Sequence, residues 1–341
     1  MARAATRPAI AIRPFAPGDE DGVLGLLGVT LGGGPARRRP PEFFRWKHHE
    51  NPFGSSFILV AESQGRLVGL RAFMRWRFEG GGGGFEAVRA VDTATHPDFQ
   101  GRGVFTRLTL AALEALDGQA DLVFNTPNRA SRPGYLKLGW REVGRVPVAV
   151  RVRRPMRLAW GLRAPAGRLP AEPTVAAEPA AWVLARGEEV EGLLAAAGSD
   201  DERLRTPRDL SYLRWRYGSA PLLGYLAVTE EDAGGLRGLA IFRVRPRGAL
   251  WESTVAEVVI PAGDRCTARR LLRRVAEAAP VDHLTHHAPP RTATARAAAG
   301  AGFLPAPGGM AFVVRPLRDG VRPDPTELRS WALSLGDLEV F

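Results

Sequence analysis

At 341 residues the chain is long enough to bury two cores and far exceeds a small module that needs stapling. Its single cysteine, Cys266, excludes an intrachain disulfide framework and a thiolate metal site. The net charge of +11 is mostly arginine spread along the chain without a basic tail or stripe, which argues against a nucleic-acid partner and suits an anionic small ligand. No stretch has the length and apolarity of a membrane span, and Met1 to Phe15 lacks the apolar core of a signal peptide, so a cytoplasmic protein is expected.

Ala9 to Arg13 alternates as a first strand, and Asp19 to Leu31 carries Val23, Leu26 and Leu27 at helical spacing. Gly32 to Pro41 breaks that helix, and Glu42 to His49 forms a short second one. Phe57 to Glu62 and Leu67 to Phe78 read as a hairpin turning at Gln64-Gly65, followed by a five-glycine loop, Gly80 to Gly84. Phe85 to Thr95 is then a strand, Asp121 to Asn125 another, and Val143 to Arg153 a strand or a pair. Arg154 to Ala180, rich in Pro, Ala and Arg, reads as a connection between domains. Beyond it come a strand at Ala181 to Leu184, helices at Glu188 to Ala197 and Asp209 to Tyr217, and a hairpin from Leu223 to Arg245. Leu250 to Ile260, Thr267 to Ala278, Val281 to Thr285, Arg291 to Ala299 and Met310 to Arg315 complete a strand, helix, strand, helix, strand series.

The stretch Ala90 to Leu108 organises the first half. An alternating strand runs through Asp92, Thr93, Ala94 and Thr95 into His96-Pro97, and Gln100-Gly101-Arg102-Gly103-Val104-Phe105-Thr106 opens a helix. The first N–H groups of a helix lack internal partners and sit at the positive end of its dipole, so this turn can hold an anion, with Arg102 adding a cation. Neither a P-loop nor a dinucleotide fingerprint is present.

The halves repeat. Phe43-Phe44-Arg45-Trp46-Lys47 matches Tyr212-Leu213-Arg214-Trp215-Arg216, and Trp46 to Gly69 and Trp215 to Gly238 both span 23 positions. Placing Pro97 on Pro261 sets Gln100 to Phe105 on Asp264 to Arg269, where both glycines are gone and a carboxylate would repel phosphate. The second copy therefore reads as degenerate. His48-His49-Glu50 and His283, His286 and His287 have no matched carboxylate pair, and no metal is expected.

Two motifs together resemble the GNAT superfamily of acetyl-CoA-dependent N-acetyltransferases. Gln100 to Val104 follows that family's Q-x-x-G-x loop, with Phe105 in place of its last small residue. Asn128, Ser131, Tyr135, Lys137, Gly139 and Trp140 follow its second motif, with Ser131 replacing an alanine. The resemblance implies an α+β fold, a mixed and mostly antiparallel sheet with flanking helices, repeated as two tandem GNAT-like domains. The expected divisions are a catalytic domain at 1–153, a linker at 154–180, a degenerate domain at 181–316 and a tail at 317–341.

It further implies that Thr93, Ala94 and Thr95 pair with the pantetheine arm of acetyl-CoA. Gln100, Gly101, Arg102, Gly103, Val104, Phe105 and Thr106 would hold the pyrophosphate, and Asn128 would contact the cofactor arm. Tyr135 takes the family's general acid position, while the matching position of the second copy is Ala298. The acceptor is a small-molecule or peptide amine, which arrives as ammonium and must lose a proton before attack. Asp92 is the first candidate base, with Glu86, His96 and the Phe341 carboxylate behind it. Two other functions fit the same motifs: a non-catalytic acyl-CoA-binding or regulatory module, and a transferase of longer acyl or aminoacyl groups.

Overall fold

The computed structural model describes residues 8–30, 40–161, 163, 171–198 and 202–339. The first part runs β1 (Ala11–Pro14), α1 (Glu20–Thr30), α2 (Pro41–His48), β2 (Phe57–Ser63), β3 (Arg66–Gly80), β4 (Gly83–Thr95), α3 (Val104–Ala115), β5 (Leu122–Asn125), α4 (Arg132–Lys137) and β6 (Arg141–Val146). Then come β7 (Ala149–Val152), α5 (Pro155–Gly161), β8 (Glu178–Pro179), α6 (Ala180–Leu184), α7 (Gly187–Ala197) and α8 (Leu210–Leu213). The remainder is β9 (Leu226–Asp232), β10 (Gly235–Arg247), β11 (Leu250–Val259), α9 (Arg265–Ala278), β12 (His283–His286), α10 (Ala293–Gly300), β13 (Leu304–Pro305), β14 (Met310–Pro316) and α11 (Leu335–Leu338).

These strands form two seven-stranded sheets, β1-β2-β3-β4-β5-β14-β6 and β13-β7-β12-β11-β10-β9-β8. Each is antiparallel except at one pair, β4 with β5 and β11 with β12. The fold is α+β, as expected. The halves also exchange a strand: β14 inserts between β5 and β6, and β7 inserts between β12 and β13. Two strands thus cross the divisions at residues 153 and 181. The exchange is matched in detail, since Arg315 of β14 packs on Gly139 and Arg151 of β7 packs on Gly302.

A central core draws on both sheets, with Trp46, Trp76, Phe124, Tyr212, Trp215 and Ile241 among its members. Separate cores lie under α3 and under α9. Gly69 lets α3 approach the first sheet: a Cβ there would meet Val104 and Leu108. Gly238 does the same against Thr267 and Leu271. The two helices therefore correspond at an offset of 163, one position from the register that aligning the prolines suggests.

Three local expectations are corrected. The five-glycine run is not a loop: β3 ends at Gly80 and β4 begins at Gly83, leaving a turn at Gly81-Gly82, where φ is +56° and +78°. Both turn residues have the positive φ that such a hairpin requires, which glycine adopts without a Cβ penalty. Ala181 to Leu184 belongs to a helix, because Ala180, Val183 and Leu184 bury one face at helical spacing. The connection after Arg154 contains α5. The break read at Gly32 to Pro41 falls mostly outside the described residues, as does Phe341.

Candidate active site

The site starts from the divergence of β4 and β5. They pair only at Ala87–Arg89 with Leu122–Phe124, while β4 continues to Thr95. From Ala90 to Thr95 the β5-facing edge of β4 has no strand partner among the described residues. On the other edge the β3 register shifts, with Arg71 opposite Thr93 and Ala72 opposite Val91. Asp92 is the extra residue of this bulge, at φ +35°. A bulge re-aims neighbouring side chains, and Asp92 and Thr93 here reach different partners.

Thr93 reaches the acid candidate. Arg71 Nη1 donates to Thr93 Oγ1 and to Tyr135 Oη, the latter at 2.9 Å. Tyr135 is buried, with Trp140 5.2 Å away and Phe105 5.9 Å away at 89°. Phe105 therefore ties the start of α3 to α4. Asn128 sets the position of α4: its Oδ1 accepts from the Ala130 and Ser131 amides at 3.0 and 2.9 Å and from Ser131 Oγ.

Asp92 reaches α2. Its Oδ2 lies 2.9 Å from Lys47 Nζ and 2.9 Å from His48 Nε2, all three side chains being buried. His48 Nδ1 in turn meets Ser56 Oγ at 2.9 Å. Burial pushes the His48 imidazole below its usual range, and the Asp92 carboxylate offsets only part of that shift. Glu86 pairs with Arg77 at 2.8 Å at the far end of the strand. His96 caps a short turn after β4, its Nδ1 accepting from the Asp98 amide at 3.3 Å.

The start of α3 has the form of an anion cradle. Gly101 and Gly103 both have φ of +71°, and an added Cβ at either would meet nothing within 4 Å. No side chain caps the helix, so the amides of Val104 to Thr106 have no side-chain acceptor there. Gln100 Nε2 donates to the Thr95 carbonyl, and the Arg102 guanidinium stacks on Phe99. In the second half the equivalent helix start is filled. Asp264 accepts from the Thr267 amide at 3.0 Å and from Thr267 Oγ1 at 2.8 Å, and pairs with Arg237. The amide bond and those companions pull its carboxyl below the usual range.

The segment before the C-terminus lies against the same opening. Arg89 donates to the Asp337 and Leu338 carbonyls, both at 2.6 Å, and Thr126 Oγ1 donates to Leu338 at 3.2 Å. Burial, with the nearby Arg216 charge, brings the Arg89 guanidinium down to about 10. Asp337 and Glu339 add charge pairs with Arg208 and Arg243. A cavity of about 650 Å³ beside them is lined by Thr126, Asn128, Arg129, Arg132, Arg245 and Glu339.

The structure thus brings Thr93, Phe105, Asn128 and Tyr135 together around α4, and puts the Asp92 carboxylate on α2. Sequence reasoning missed Arg71, Lys47, His48 and Arg89. Lys47 carried a signal only as the match of Arg216 in the repeated five-residue segment, and His48 only as part of His48-His49-Glu50.

Residues 11–143 match the acetyltransferase (GNAT) domain family. No curated protein matches the chain. Among solved structures, a GCN5-related N-acetyltransferase from Anabaena variabilis is similar at a TM-score of 0.61 and 12% identity, over 91% of this chain and 73% of that one. A probable N-acyltransferase from Enterococcus faecalis gives 0.60 and 12%, over 91% and 73%. A GCN5-related N-acetyltransferase from Kribbella flavida gives 0.58 and 18%, over 91% and 71%. At these identities the likeness to the solved structures is one of fold.

Proposed function

We propose that the GNAT acetyltransferase domain at residues 11–143 transfers an acetyl group from acetyl-CoA to a primary amine by direct attack in a ternary complex. The observation that carries this reading is the meeting of three features: an unpaired β4 edge, an uncapped glycine helix start and a buried Tyr135 beside them. The edge at Thr93 to Thr95 can add the pantetheine amides as a further strand. The amides from Gly101 to Thr106 receive the pyrophosphate. Asn128, its Oδ1 spent on the turn before α4, has its amide nitrogen for the cofactor arm.

Tyr135 gives its proton to the leaving thiolate. The proton of the attacking ammonium goes to Asp92 on the α2 side of the strand, and Lys47 and His48 hold that carboxylate in place. The other candidate base, the Phe341 carboxylate, lies outside the described residues. The second half, with Asp264 on its helix start and Ala298 in the Tyr135 position, serves as wall and scaffold without a second acetyl-CoA site.

Thermal shift with acetyl-CoA, followed by thiol release over a panel of amines, tests this. A stabilisation that Gly103→Glu abolishes, with CoA released by some amine, is the expected result. Binding without release on every amine would leave an acyl-CoA-binding module, and no shift with any CoA ester would remove the assignment. Comparing Asp92→Asn with a chain ending at Glu339 separates the two bases.

A further inference from the structure

Arg71 on β3 is fully buried, with no carboxylate paired to it among the described residues. Its Nη1 donates to Tyr135 Oη and Thr93 Oγ1, whereas Nε and Nη2 have no hydrogen-bond partner there. Aromatic rings surround the guanidinium: its carbon lies 4.5 Å from the centre of Phe73, 5.1 Å from Tyr135 and 5.5 Å from Phe105. Burying an uncompensated cation is costly, and ring faces repay only part of the cost. Such a charge calls for a use at the two polar groups it holds, and of these only the Tyr135 hydroxyl stands in the proposed acid position.

We infer that Arg71 is the positioning residue of the acid, and that Phe105 is retained as a wall of its aromatic box. The inference rests on the reading of Tyr135 as general acid. A guanidinium only donates, so the Tyr135 oxygen must accept from it, and the phenol hydrogen is left to point at another acceptor. In the transfer step the nitrogen of the neutral amine bonds to the acetyl carbon and releases its surplus proton to solvent, and the C–S bond breaks with its electron pair on sulfur. The Tyr135 proton passes to that sulfur. The resulting phenolate faces the Arg71 charge at hydrogen-bond distance until solvent returns a proton. Phe105, in place of the small residue of the family loop, keeps the guanidinium from tilting away and packs its edge on Tyr135.

The test is a double-mutant cycle read by thiol release and by the thermal shift with acetyl-CoA. Arg71→Met should lower kcat about 100-fold, the usual low end for losing acid catalysis, with KM for acetyl-CoA and the thermal shift within about twofold of the parent. In a Tyr135→Phe background, Arg71→Met should cost nothing more, because its effect passes through the hydroxyl. Arg71→Lys should recover part of the rate, and Phe105→Leu should show the same loss in smaller measure; these two also decide the matter if Arg71→Met does not fold. An equal loss from Arg71→Met in both backgrounds, or a raised KM at unchanged kcat, would overturn the inference while leaving Tyr135 as the acid. Unchanged turnover in Tyr135→Phe itself would overturn the underlying reading, and this inference with it.

Discussion

Trp46 and Trp215 each donate the indole N–H to the other's backbone carbonyl, at 2.8 and 2.9 Å, with their rings stacked 5.3 Å apart. They are the tryptophans of the two repeated five-residue segments, so the repeat meets itself face to face in the central core.

Removing one indole nitrogen tests that joint. Trp46→Phe keeps a smaller aromatic ring and strips the donor from Trp215 O, which still has Ser219 Oγ at 3.2 Å. The lost bond alone is worth about 1 kcal/mol, and the missing half of the buried indole adds a packing cost to it. Trp46→Ala opens a cavity as well and should cost about 3–5 kcal/mol. Chemical denaturation measures both, and equal values for the two variants would mean that ring packing contributes nothing.

The two helix starts should respond oppositely. Gly103→Ala puts a Cβ where φ is +71°, so it should cost roughly 1 kcal/mol of stability and weaken acetyl-CoA binding. Asp264→Asn in the other half should leave acetyl-CoA binding unchanged, because that start is already filled by its own side chain. Calorimetric titration of both variants checks this; reduced affinity in Asp264→Asn would place a cofactor in the second half.

Acid should destabilise the protein early. Burial, then the charge of His287, lowers the buried His286 imidazole to about 4. In the unfolded chain that group takes up its proton near a pH of about 6.5. The native state binds fewer protons between those values, so stability falls as pH drops from about 6.5 toward about 4. His48 and His287 are shifted the same way and add to it. His286 alone accounts for roughly 3 kcal/mol over the whole window. Melting curves from about pH 7 to about pH 5 should show a smaller drop for His286→Asn; an identical drop would clear His286 of the effect.

Arg89 should hold the C-terminal segment. Arg89→Met removes both donors to the Asp337 and Leu338 carbonyls and should cost about 2 kcal/mol. Hydrogen exchange should speed up at 335–339 before it does in β4, and uniform acceleration would count against a local latch.

Much of this site was legible because short-range chemistry writes itself into short spacings. Gln100 to Thr106 and Asn128 to Trp140 each act within one turn or one helix, so their order reveals them. The partners of Asp92 and Tyr135 lie far along the chain, on Lys47, His48 and Arg71, and a charged residue in a strand ordinarily signals a solvated face. Nothing in the loop's own sequence accounts for Phe105, because its neighbour Arg71 lies on β3. Alternation located β7 and β14 as strands, but periodicity carries no record of which sheet a strand joins.

The exchange of those two strands has a consequence for the order of events during synthesis. The first sheet holds a gap between β5 and β6 that only Met310–Pro316 fills. On a ribosome, residues 11–143, which match the acetyltransferase (GNAT) domain family, emerge long before that strand does. The nascent chain must therefore wait with an open sheet edge, and the first sheet can close only after Met310–Pro316 has emerged.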